Sequence, residues 1–323
     1  MKKQKPFFKG ILGFTRSDDE VLARDADASI YRWWWEFMRL SPVFWYARTR
    51  GVDPIDPKIA ETYSLVGDLS DDVFYRWWNT TGRYSFAEAK RPHKVEVLDL
   101  NNLDQHSFKE KAFYLEIPLT IRRETILKQV KQMLDEYHDG RSLDLAGTTS
   151  AKLKLFTKRY RLRTIELEYW VLLYRMLYSK IEIWRIGDRL QISPHLKIRG
   201  LHGWDESPLF GRLSSISGRY LYKAKFSLNN LVYGNFPNTT KLNFGDDFMP
   251  FGKEHHADYL KATELDTKEY KSEFYLWLEE EYGNILKHEV IRRNHLTEAY
   301  RVPDGKLRKR MPKFISGESD LIS

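Results

Sequence analysis

The sequence predicts a mainly α-helical fold with a small α+β unit in the middle and a basic pair of helices in the C-terminal half. Most apolar residues recur at helical spacing between Ser or Asp starts and Pro or Gly stops. Only the stretch between residues 94 and 119 alternates with the period of a strand. The positive charge is concentrated in one region: residues 150–230 hold sixteen Lys and Arg against six Asp and Glu, a local charge of +10 in a chain whose total is +8.

The first helix is predicted over Ile30-Tyr31-Arg32-Trp33-Trp34-Trp35-Glu36-Phe37-Met38, ending before Pro42 because a proline excludes the helical conformation from its predecessor. A second spans Pro57 to Val66 and stops at Gly67. A third is expected to start at Ser70, with Asp71 and Asp72 at the positive end of its dipole, and to stop at Gly82. Tyr31-Arg32-Trp33-Trp34 recurs as Tyr75-Arg76-Trp77-Trp78, a shared local solution and not a repeat array. The tryptophans read as core, since consecutive aromatics on a helix point in several directions.

Val95, Val97 and Leu98 within Lys94 to Leu100, and the alternation Phe113 to Leu119, predict two strands. Ile121, Ile126, Leu127, Val130, Met133, Leu134 and Tyr137 then fall on one helical face. Residues 140–150 read as a linker. Ile165 to Ser179 is the expected central helix of the next unit, and a long charged helix is expected from Thr267 to Tyr300. The resulting division is 1–92, an aromatic-rich helical domain; 93–147, the α+β unit; 148–237, a basic domain; and 238–323, a loop, the long helix and a basic tail.

Within the basic domain, Ile183, Ile186, Leu190 and Ile192 match the first helix and turn of a helix-turn-helix, with Gly187 as the small residue where two helices cross closely. A loop from Pro194 to Gly211 intervenes, and Gln191 stands where such a turn usually carries Gly. The second helix is expected from Ser214 to Leu231, capped by Ser214 or Ser215, with Ile216, Tyr220, Leu221 and Ala224 inward. Ser215, Ser217, Arg219, Tyr222, Lys223 and Lys225 are then left for base edges and phosphates. Lys152, Lys154, Lys158, Arg159, Arg161 and Arg163, with Arg185 and Arg189, are the candidates for backbone contacts.

On these residues, segment 180–236 resembles the helix-turn-helix domains of bacterial and phage DNA-binding regulators. The whole chain is similar to a family of bacterial, plasmid and phage proteins with paired Tyr-Arg-Trp-Trp motifs. The similarity is carried by Tyr31 to Phe37, Phe74 to Phe86, Leu115-Glu116-Ile117-Pro118-Leu119, and Arg219-Tyr220-Leu221 through Gly234-Asn235-Phe236-Pro237. Together with the localised charge, the resemblance implies a non-enzymatic partner of double-stranded DNA, a regulator or an architectural factor of a nucleoprotein complex. The long C-terminal helix, with Phe274, Trp277, Leu278 and Leu286 opposite Glu279, Glu280 and Glu281, offers a surface either for self-association or for packing on its own domain. The rival reading is a phage or mobile-element assembly protein whose aromatic and acidic surfaces make protein contacts.

Other chemistry finds little footing. The chain has no cysteine, which removes disulfides, thiol catalysis and Cys-based zinc sites. His255, His256 and Asp258 lack further ligands at recognisable spacing, so no metal or cofactor is expected. Asp68, Asp71 and Asp72 are accounted for by the expected helix start. His288 and Arg292 have the wrong separation to support Tyr300 as a recombinase nucleophile. The longest apolar run, Tyr169 to Tyr178, contains Arg175 and is too short to span a membrane, so a cytoplasmic protein is expected.

Overall fold

The computed structural model describes residues 8–11, 19–70, 73–88, 115–137, 149–156, 160–196, 207–242, 248–264 and 271–300. These residues are mainly helical. In chain order the helices are α1 (Asp19–Asp27), α2 (Ile30–Arg39), α3 (Pro42–Arg50), α4 (Pro57–Val66), α5 (Phe74–Trp77), a π-turn (Trp78–Gly82), α6 (Arg83–Phe86) and α7 (Arg123–Tyr137). They continue with α8 (Leu162–Leu177), α9 (Ile183–Arg189), α10 (Ser207–Leu231), α11 (Lys253–Thr263) and α12 (Glu273–Tyr300).

Helix α2 lies at the centre, and all ten of its residues are buried. Even the face that carries Arg32, Glu36 and Arg39 is buried, so neighbouring elements cover the helix all round and pair its charges. Trp33 and Phe37 meet Tyr169 of α8 at ring separations of 5.6 and 5.7 Å. Trp35 meets Phe74 and Trp77 on the opposite flank, and Trp34 packs on Phe86 and Phe236. The tryptophans are therefore core, as the sequence indicated. One cluster of buried apolar side chains runs from Phe8 through these rings to α8, α10 and α12.

Local signals set the helix ends. Ser29 Oγ accepts the Tyr31 N–H at the start of α2. Ser41 and Pro42 open α3, and Gly51, at φ 65°, closes it in the left-handed region. Asp56 accepts the N–H groups of Lys58 and Ile59 to begin α4, which ends at Gly67.

The third predicted helix is displaced. Ser70 does not cap it: the Ser70 N–H and hydroxyl both donate to the Asp68 carboxylate, closing a local turn, and α5 begins at Phe74. Gly82 does not stop it either. It sits in the π-turn, where a Cβ would come within 2.7 Å of the Trp77 ring and 2.9 Å of the Trp78 ring, and the chain stays helical to Phe86. Close approach of two indoles, not termination, requires glycine there.

The α+β middle is not found among the described residues. Residues 115–118 belong to no strand, and Phe113, Tyr114 and the predicted strand at 94–100 lie outside the described residues, as do 138–148 of the linker. Helix α7 follows as predicted. Leu127, Met133 and Leu134 on its apolar face remain exposed.

A cluster of opposite charges is buried inside the aromatic core. Arg292 of α12 donates to both carboxylate oxygens of Glu289, to the Asp27 carboxylate (3.3 Å) and to the Asp27 carbonyl (3.1 Å) at the end of α1. Arg293 bridges Glu289 and Glu166 of α8, each at 2.7 Å. Arg32 pairs with Glu36, whose other oxygen accepts the Tyr169 hydroxyl. The guanidinium of Arg292 also lies over Trp33, and that of Arg32 over Trp35. Removing one member of such a set leaves its partners charged and dry. Arg292→Met should therefore lower the unfolding free energy by about 3–5 kcal/mol, read as the shift in a urea midpoint. A loss within experimental error would show that the cluster is not what joins α1, α8 and α12.

Candidate nucleic-acid interface

Helix α10 has 25 residues and contains no Asp or Glu. Its buried side, Leu213, Ser217, Ala224, Leu228 and Leu231, faces α8 and α9. On the other side Arg212, Ser215, Arg219, Tyr222 and Lys223 recur at intervals of three or four residues, which places them on one exposed face. From Arg212 to Lys223 that face is about 16 Å long. Tyr222 is 57% exposed, and its ring meets Phe226 edge-on at 4.3 Å. Lys225 is exposed beside the same face.

Helix α9 crosses the N-terminal half of α10. A Cβ added at Gly187 would lie 2.0 Å from Ser217 Oγ and 3.1 Å from Leu213, so the expected close crossing at Gly187 is present. Trp184 of α9 stacks on Phe210 of α10 at 4.3 Å. Gln191 adopts the left-handed conformation, at φ 46°, in the place where a Gly was the more comfortable residue. The connection between the helices nevertheless takes residues 190–206, so it is not the three- or four-residue turn of a compact helix-turn-helix.

Two corrections follow for α10. It begins at Ser207, a full two turns earlier than expected, so Ser214 and Ser215 lie inside the helix and cap nothing. Ser217 cannot reach a ligand: it is 0% exposed because its hydroxyl occupies the space left by Gly187. Arg212 was missed because the helix was expected to begin at Ser214, two residues beyond it. Ser207-Pro208 was the available signal, since proline is favoured in the first helical turn.

The remaining candidates flank α10. Lys152 and Lys154 are exposed and alternate with buried Ala151, Leu153 and Leu155, and Leu155 bridges to Phe236 just beyond the C-terminal end of α10. Arg161 is exposed at the start of α8, and Lys158 and Arg159 lie outside the described residues. Arg163 is partly engaged, at 2.9 Å from Glu166. Arg185 is exposed, within 3.6 Å of Glu182 and over the Trp184 ring. Arg189 donates to the Tyr174 hydroxyl, which lowers its availability.

One acid lies under this surface. Glu168 of α8 is buried, and burial pushes its carboxyl up to about 7, with Lys223 acting in the opposite direction. His255 and His256 are half-buried, and the Asp258 carboxylate is taken by Tyr46 and Arg50. Among the described residues no three His or carboxylate side chains are grouped to hold a metal, and no helix is long and apolar enough to cross a membrane.

These contacts generate two tests. Gly187→Ala should cost about 1–3 kcal/mol by overpacking the crossing, and much of that cost should vanish when Ser217→Ala is made in the same chain. Equal costs in both backgrounds would show that the crossing is loose. Glu168 is raised in the folded state, so its contribution to stability is full below its ordinary 4.5 and is lost as pH rises through about 7. Glu168→Gln cannot suffer that loss. Its stability relative to the parent should rise between pH 5 and 8 by up to about 3 kcal/mol, and a pH-independent difference in urea midpoints would refute the assignment.

Comparison of the chain with protein-family models, with curated proteins and with solved structures returned no match.

Proposed function

We propose that the protein binds double-stranded DNA through the exposed face of α10, as a non-enzymatic regulator or an architectural factor of a nucleoprotein complex. The observation that carries the proposal is an acid-free helix exposing Arg212, Arg219, Lys223, Lys225 and an aromatic ring on or beside one face. A row of cations without interspersed carboxylates attracts a phosphate backbone, and a helix is narrow enough for the major groove. Lys152, Lys154 and Arg161 extend the positive field beyond α10, while α9 supports it from behind as the first helix of a helix-turn-helix does.

Arg219, Tyr222 and Lys223 are assigned to base edges and adjacent phosphates. Lys152, Lys154, Arg161 and Arg185 are assigned to the backbone alone. The second reading, an assembly protein of a phage or mobile element, is favoured by the exposed apolar face of α7, where Leu127 is 58% exposed.

Binding of a labelled duplex should weaken steeply as salt rises, and the slope should flatten by about 0.9 for each phosphate contact removed. Lys152→Ala and Lys154→Ala should lower affinity for all sequences alike, whereas Arg219→Ala should also change the preference among them. Each of these side chains is exposed, so the variants should keep the parent's thermal midpoint. Absence of duplex binding at low salt would reject DNA recognition and leave the assembly reading.

A further inference from the structure

A cleft of about 720 Å³ opens between α3 and α4, far along the chain from the basic face, and nothing in the proposed DNA binding uses it. Its size is that of a small-molecule site. Arg48 lines it together with Asp53, Tyr63, Ser64 and Asp68. The guanidinium of Arg48 rests on the Trp277 ring, 4.9 Å from its centroid, and Nη1 is buried without a hydrogen-bond partner.

Among the described residues no carboxylate forms an ion pair with Arg48. Glu281 of α12, which acts on Arg48 through charge, is taken by Arg39. Asp68 turns both oxygens to Ser70 but keeps acceptor capacity on each, and Asp53 is exposed at the cleft. Burial and the like charge of Arg39 hold the Arg48 guanidinium down to about 10, in keeping with a cation that lacks its counter-ion. Arg48 thus lines the cleft as a cation with no protein counter-ion among the described residues, and a carboxylate is the group that pairs most strongly with a guanidinium.

Two carboxylates on the rim disfavour a multiply charged anion such as phosphate and favour a ligand that also carries positive charge. We propose that this cleft binds a free α-amino acid, its carboxylate held by Arg48 and its ammonium group by Asp53 and Asp68, with basic side chains preferred because the rim has one more acid than the ligand's ammonium needs. Tyr63 and Ser64 offer hydroxyls to the same carboxylate.

The test is calorimetric titration of the full chain with L-lysine, L-arginine, L-alanine and L-glutamate, and with propionate, butylamine and inorganic phosphate as single-charge and anion controls. Saturable binding in the order basic, neutral, acidic is expected, with propionate and butylamine each weaker than L-alanine. Arg48→Met, which keeps the aliphatic stem on Trp277, should weaken L-lysine roughly tenfold or more, the range of a charge-assisted pair. Ser64→Phe should fill the cleft from an exposed position and block binding even if Arg48→Met fails to fold. No saturable heat with any amino acid, tightest binding by L-glutamate or phosphate, or L-lysine affinity unchanged in Ser64→Phe would each overturn the proposal. The duplex-binding assay is independent, so either reading can fail alone.

Discussion

Where the corner between α1 and α2 meets α8 and α12, the carboxylates of Asp27, Glu36, Glu166 and Glu289 face the guanidiniums of Arg32, Arg163, Arg292 and Arg293. The charges balance, yet most of these groups are withdrawn from water and surrounded by tryptophan and tyrosine rings. Burial pushes the carboxyls of Asp27 and Glu166 up, against the pull of Arg292 and Arg32 on the first and Arg163 and Arg293 on the second. Burial also acts upward on Glu289, but Arg292, Arg293 and Arg32 outweigh it and hold that carboxyl below its ordinary value. Such an arrangement contributes little net stability over an apolar one of the same shape. What it fixes is register: Glu289, Arg292 and Arg293 share one face of α12, and a rotation by a single residue, about 100°, would carry that face away from its partners.

That constraint was only half legible in the sequence. Arg32 and Glu36 stand at helical i, i+4 spacing inside a run of tryptophans, so a buried pair on α2 could be anticipated. Glu36 meets Tyr169 some 130 residues further along, and Asp27, which also faces Arg32, meets Arg292 265 residues away, and no local pattern links them. The helix ends fared according to whether their cause was local. Asp56-Pro57 and Gly67 bound α4 as expected, because cap and stop chemistry acts over three or four residues. Ser70 and Gly82 misled because each has a second use, as a turn partner of Asp68 and as clearance for two indoles. The alternation at residues 115–119 could not distinguish a paired strand from an extended segment, since pairing requires a neighbour that alternation does not specify.

For the candidate interface, exposure followed from charge more directly than from position along the helix. Among the described residues, nearly all Lys and Arg between 150 and 230 are exposed side chains on or around α10, because long cationic side chains are seldom buried without partners. Ser217 was misplaced since a small hydroxyl suits a surface and a tight crossing equally well. Gly187 was the clue to which it would be: the space glycine leaves on α9 is filled by the residue opposite, and helical spacing from Leu213 brings Ser217 there.

The basic face and the charged core are connected through α8. One side of that helix carries Glu166 into the buried cluster, and a position two residues on carries Glu168 beneath Lys223. An α10 resting on α8 inherits the orientation that the cluster imposes, so the spacing of Arg212, Arg219 and Lys223 relative to Lys152 and Arg161 is set by groups buried well away from them. On the proposed DNA-binding reading, a support of this kind would suit a regular, repeating phosphate lattice, for which the separation of cations matters more than the identity of any one. The support also confines the freedom to change. Exposed positions on α10 can vary at small cost in stability, while the acids and arginines under them cannot, because removing one member of the buried set strands its partners away from water.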